Sequence, residues 1–220
     1  MDLKLKGFLL IVFAACIPNC YAQSSTDGSY FWNVFNINYR ISEKTDLLLN
    51  TKEHYSNQVD RVDFYHGELT LYRKLGPTFS MGLGYRQTGN YRSEQWSGGH
   101  NYLLYGVHLF QRGSIKIKIA NRFVYKTFRH SETQYALDNI SNVDFFTRSV
   151  SWVPKPYYCH ELFTEIKTRK IQNIRLYGGL HVLKSKYVGF DLFYCQWFSQ
   201  SSTAWNNYHV YGLATKIYLQ

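Results

Sequence analysis

His130-Ser131 and the nearby Asp138 are the residue types of a hydrolytic triad: a serine nucleophile, a histidine base and a carboxylate to orient it. Such chemistry, of the kind that deacylates membrane lipids, needs nucleophile and base held within ~3 Å on rigid elements. All three fall in the longest polar stretch, 127–143, where neighbouring loop residues offer no such geometry, so no catalytic residue is assigned. The eight histidines show no metal-ligand spacing. His100 and His108 share one face of a strand but stand ~26 Å apart at strand rise, too far to hold one ion, and read as luminal or rim polar residues. Gly82-x-Gly84 leads into a tyrosine-rich strand and not a helix, which excludes a phosphate-binding loop. The pair instead relieves crowding in a narrow barrel or lets a neighbouring side chain cross the lumen. Glu161, Glu165 and Arg175 remain, and read as a cross-strand charge network that satisfies buried polar groups. No cofactor and no metal is expected.

Residues 114–126 show what must position these groups. Ile115, Ile117 and Ile119 alternate with Lys116, Lys118 and Ala120. A two-residue period puts one face of a strand in an apolar medium and the other against polar groups. The same pattern predicts an apolar row of Phe35, Ile37 and Tyr39, then Met81, Leu83 and Tyr85, then Leu103, Tyr105, Val107 and Leu109, then Leu176, Leu180 and Val182, and finally Phe190 and Leu192. The opposite faces carry Asn36, Asn38, Lys52 and Asp191, and a set of charges expected in a lumen: Arg40, Glu68, Arg86, Lys116, Lys118, Arg122, Arg148, Glu161, Glu165 and Arg175. Charges at bilayer depth must point inward, because a lipid-exposed Arg or Lys at the midplane costs ~2–4 kcal/mol. The 20 Tyr, 15 Phe and 5 Trp suit aromatic girdles at the two membrane interfaces.

Residues 1–22 read as an export signal and 23–220 as the mature barrel. Lys4 and Lys6 form the positive region, Phe8 to Ala15 the apolar core, and Cys20-Tyr21-Ala22 a small-x-small cleavage site before Gln23. The apolar core is shorter than the ~20 residues of a spanning helix. Lipoprotein processing at Cys16, after Phe13-Ala14-Ala15, is the less favoured alternative. Loss of Lys4, Lys6 and Asp2 lowers the net charge from +10 to +9. An exported basic chain is expected to meet outer-membrane lipid or an anionic solute and not nucleic acid. Cys159 and Cys195 lie on two strands separated by a third, roughly 9–10 Å apart, beyond the ~7 Å that a disulfide tolerates, so free thiols are expected.

Turn signals at 42–44, 75–77, 111–113, 153–155 and 184–185 alternate with longer polar stretches at 56–61, 89–99, 127–143, 167–172 and 199–206. Tight turns at one end and long loops at the other are the outer-membrane pattern. Between them stand eleven candidate strands, 30–41, 45–55, 62–74, 79–88, 101–110, 115–126, 145–152, 157–166, 174–183, 187–198 and 208–219. Bacterial single-chain barrels have even counts, so the expectation is an all-β antiparallel transmembrane barrel of about ten to twelve strands.

Tyr30-Phe31-Trp32-Asn33-Val34, Met81-Gly82-Leu83-Gly84-Tyr85-Arg86, Tyr157-Tyr158-Cys159-His160-Glu161-Leu162-Phe163 and Asn173-Ile174-Arg175-Leu176-Tyr177-Gly178-Gly179-Leu180 resemble, in order, the outer-membrane barrel family called domain of unknown function 2490. The resemblance implies a Gram-negative outer-membrane barrel and brings no catalytic residue with it. The expectation is an outer-membrane barrel whose activity the sequence does not specify, with a narrow anion-preferring or plugged pore as one form it can take. A soluble periplasmic barrel binding an apolar ligand and a lipid-modifying enzyme are the alternatives.

Overall fold

The computed structural model describes residues 28–58, 60–92, 94–128, 132–145, 154–201 and 204–219. The proposed export signal and His130-Ser131 lie outside the described residues. Alternating apolar and polar residues, rich in aromatic and β-branched types, suit a pleated surface with two unlike faces. They form β1 (Gly28–Ser42), β2 (Thr45–Ser56), β3 (Arg61–Lys74), β4 (Phe79–Arg92), β5 (Gln95–Arg112), β6 (Ile115–Phe128), β7 (Gln134–Phe145), β8 (Lys155–Glu165), β9 (Lys170–Lys184), β10 (Val188–Gln200) and β11 (Trp205–Leu219). Each strand pairs with its sequence neighbours in antiparallel register, and β1 meets β11 to close a barrel. An odd number of strands cannot alternate in direction all the way round a ring. The mismatch falls at the seam, where β1 and β11 run parallel from Gly28↔Tyr208 to Tyr39↔Leu219.

The eleven strands fall within the expected range, with one exchanged. β7 occupies Gln134–Phe145, inside the stretch read as the longest loop, while the candidate strand at 145–152 lies almost wholly outside the described residues. Asn139, Ser141 and Val143 on one face and Asp138, Asn142 and Asp144 on the other give β7 polar residues on both sides, so its period is faint. The contrast between tight turns and long loops is also not found. β4 and β5 run on to Arg92 and Gln95, which leaves only 93–94 between them, and 57–60, 166–169 and 201–204 are each as short as 75–78. Gly113 makes the β5–β6 turn with a φ of 59°, a conformation that favours glycine. Below, the two ends are the Gly28 rim and the Ser42 rim.

Outward faces carry Leu69, Leu71, Met81, Leu83, Leu104, Leu137, Leu180 and Leu192, all exposed. At one level a row of tyrosines in register, Tyr85↔Tyr102↔Tyr125↔Tyr135, runs over β4 to β7, with ring centroids 5.7, 5.9 and 5.3 Å apart. β5 is turned over relative to the sequence reading. Leu103, Tyr105 and Val107 are buried inside, Leu103 at 3% exposure, whereas Tyr102 and Leu104 face outward at 52% and 41%. His100 and His108 therefore stand on the outside, His100 beside the Tyr85 hydroxyl at 2.6 Å and His108 against the ring of Phe79. Both faces of this strand are apolar, so alternation had nothing to mark.

Inward-facing glycines make room for inward-facing rings on the next strand. Gly82, Gly179 and Gly212 lie directly opposite Tyr72, Tyr157 and Phe193. A Cβ on any of them would meet the partner ring at 2.6, 2.4 or 2.1 Å. Tyr72, laid over Gly82, reaches Tyr105 on the far side with ring centroids 5.4 Å apart. The Gly82-x-Gly84 pair thus has the role of letting a side chain lie across the interior.

Candidate functional site: a charged lumen

Inside the barrel lie two clusters of buried side chains. The first spans β3 to β7. Glu68 is buried and accepts from Arg86 Nε at 2.8 Å, from the Tyr105 hydroxyl at 2.6 Å and from Thr70 Oγ1 at 2.7 Å. Arg122 donates to the Tyr105 hydroxyl at 3.2 Å, and through Nε and Nη2 to one Asp138 oxygen at 2.9 and 2.7 Å. Charges this deep are retained only when each is answered by a partner, because the interior does not replace the water they lose.

The second cluster takes β8 to β11 with β1 and β2. Trp32 is completely buried and stacks on His54 with centroids 4.2 Å apart. Lys52 Nζ lies 3.4 Å from the centre of its ring, and the Arg175 guanidinium 4.9 Å. Glu161 accepts from Arg175 at 3.2 Å and from the Tyr177 hydroxyl at 3.0 Å. Cys159 and Cys195 are buried free thiols, each in register with Tyr177, which stands between them. Ile140 packs against the apolar part of both clusters, and the His66 ring on β3 meets Asn50 on the neighbouring β2 at 2.6 Å, so the two clusters adjoin along the wall.

A cavity remains at each rim. Near the Gly28 rim, Lys126, Gln134, Phe163, Glu165 and Asn173 bound about 260 Å³. Near the Ser42 rim a larger one of about 400 Å³ lies among Lys116, Lys118, Asp144, His181, Asp191 and Lys216. His181 Nδ1 is 2.7 Å from Asp191 and Nε2 is 3.4 Å from Asp144, while Lys216 also contacts Asp191.

The ten charges expected in the lumen are placed as follows. Glu68, Arg86 and Arg122 share the first cluster, and Glu161 and Arg175 the second. Lys116 and Lys118 line the Ser42-rim cavity. Glu165 borders the other cavity and accepts from Thr168 and Gln172, so it does not join Glu161 and Arg175. Arg40 stands at the Ser42 rim, 3.6 Å from Asp46, with its side chain 57% exposed. Arg148 lies outside the described residues. Asp138, considered above as a triad acid, is buried and held by Arg122. Asp138 and Asp144 do not read as luminal in the sequence, because the mixed polarity of β7 reads as a loop. His181 does not stand out either, because it sits between Leu180 and Val182 in an otherwise apolar stretch.

A closed all-β barrel of eleven strands, with a packed and charged interior and an apolar exterior, is the class of protein that these features define. The chain belongs to the family described as Protein of unknown function (DUF2490), whose profile matches residues 30–208. Searches of the curated proteins and of the solved structures return no match.

Proposed function

We propose that this chain is an outer-membrane β-barrel whose lumen is stopped by its own side chains, a plugged pore in the resting state. The carrying observation is the inversion of polarity between the two faces of the wall. Leucines, Met81 and tyrosines cover the outside, while Glu68, Arg86, Arg122, Asp138, Glu161 and Arg175 are packed within. A soluble barrel that carries an apolar ligand needs the reverse, a polar outside and an apolar cavity. Strands of 11 to 18 residues reach or exceed the ~9–11 that cross a tilted barrel wall. The Tyr85–Tyr102–Tyr125–Tyr135 row suits an interfacial girdle, where rings are half wet. The export signal read in residues 1–22 supports the same location, and outer-membrane lipid is then the partner of the wall.

Membrane fractionation combined with unboiled and boiled gels tests this. A protein of the outer-membrane fraction that migrates differently before and after boiling supports the proposal. A detergent-independent protein in the periplasmic extract supports the soluble alternative and overturns it.

A further inference from the structure

The Ser42-rim cavity has an excess of positive charge that the protein itself does not neutralise. Lys116 and Lys118 project from the same face of β6, two residues apart and so ~7 Å apart along the strand. Among the described residues neither makes a hydrogen bond or a close ion pair, and the one carboxylate opposite them is Asp144, the register partner of Lys116. The nearest candidates are already engaged: Asp191 holds His181 and Lys216, and Asp144 faces His181. Asn38 and Asn142 line the same space, and their amides likewise have no side-chain partner among the described residues. Two adjacent ammonium groups repel each other unless an anion or water answers them.

We infer that this cavity is a binding site for a phosphate group carried by a small soluble molecule, a use that rests on the barrel reading above only for the direction from which the ligand arrives. Three points narrow the ligand. Among the described residues, the cations that line the cavity are lysines and none is an arginine. Arginine forks match a planar carboxylate, whereas separate ammonium groups act as point charges around a compact anion with several oxygens. The volume, about 400 Å³, lies within the ~300–1,000 Å³ of small-molecule sites and leaves room for a polar body attached to the phosphate. Finally, the ladder of backbone bonds is closed on all sides, so the ligand enters past the rim and not through the wall, which excludes a lipid whose chains remain in the bilayer. The side chains at mid-height make the site a dead end rather than a passage.

Titration calorimetry of the full barrel in a zwitterionic detergent, with pyrophosphate as the probe, tests the site. Saturable binding is expected, weakened about tenfold or more by Lys116→Gln with Lys118→Gln and little changed by Lys126→Gln at the opposite cavity. No binding at millimolar pyrophosphate overturns the site. Equal weakening by the Lys126→Gln variant also overturns it, since that marks diffuse attraction to a basic protein. A second arm adds vesicles bearing phosphate lipid headgroups to the same protein. Competition by vesicles as effective as free pyrophosphate would place the source in lipid and overturn the soluble ligand. Failure of the site is separable from failure of the membrane reading: a heat-modifiable membrane protein that ignores pyrophosphate loses only the site, and a soluble protein that binds it loses only the membrane.

Discussion

Arg122 on β6 and Asp138 on β7 are register partners, and two guanidinium nitrogens of Arg122 converge on a single Asp138 oxygen at 2.9 and 2.7 Å. Both side chains are almost wholly enclosed, so the pair stands in place of solvent for each member. Removing one member leaves a buried charge unanswered, at a cost of ~3–5 kcal/mol. Asp138→Leu and Arg122→Met are each expected to lower the urea midpoint of the folded barrel strongly. The double variant is expected to recover much of the loss, because two matched apolar residues need no partner. Unfolding curves of the four proteins check this. Single variants as stable as the parent would show that the charges are solvated.

The lumen was partly readable from β6, where Lys116, Lys118 and Arg122 alternate with isoleucines and a phenylalanine. It was not readable from β5 or β7. Leu103, Leu104 and Tyr105 are apolar in succession, so a one-residue slip of phase has no signature there, and β7 mixes Asn, Ser and Asp over both faces. The consequence reaches the charge balance. The sequence suggested a lumen with a general excess of cations, but β7 brings Asp138 and Asp144 inside. In the Ser42-rim cavity Lys116 and Lys118 make no close ion pair among the described residues, and Asp144, opposite Lys116 in register, is shared with His181. The joining of Glu68 to Tyr105, across two strand boundaries, depends on barrel tilt and has no local mark in either segment.

The glycine and ring pairs predict a second set of effects. Gly212→Val puts a branched side chain where the Phe193 ring now lies, and Gly179→Val does so under Tyr157. Each is expected to destabilise by ~1–3 kcal/mol through overpacking. Gly67→Val adds its side chain into open space on the outward face of β3 and is expected to be tolerated. Thermal unfolding in detergent distinguishes them. Similar midpoints for all three would mean that the rings have other places to go.

The proposed plug predicts an electrically quiet protein. Planar-bilayer recording of the parent is expected to show almost no conductance. Trp32, buried between Lys52, His54 and Arg175, is the largest enclosed side chain, and Trp32→Ala should open a leak while costing ~3–5 kcal/mol of stability. Unpaired lysines at the Ser42 rim should give that leak an anion preference under a salt gradient. A large conductance in the parent, or a cation-selective leak in the variant, would contradict the packing and the charge assignment respectively.

The most direct measurement asks what medium touches the outward face. Leu83, 67% exposed on β4, is replaced by cysteine and labelled with a small fluorophore in the folded protein, with Cys159 and Cys195 left buried. After reconstitution into bilayers, brominated acyl chains are expected to quench the label strongly while aqueous iodide does not. Quenching by iodide with no effect of brominated lipid would place Leu83 in water and contradict a membrane-spanning barrel.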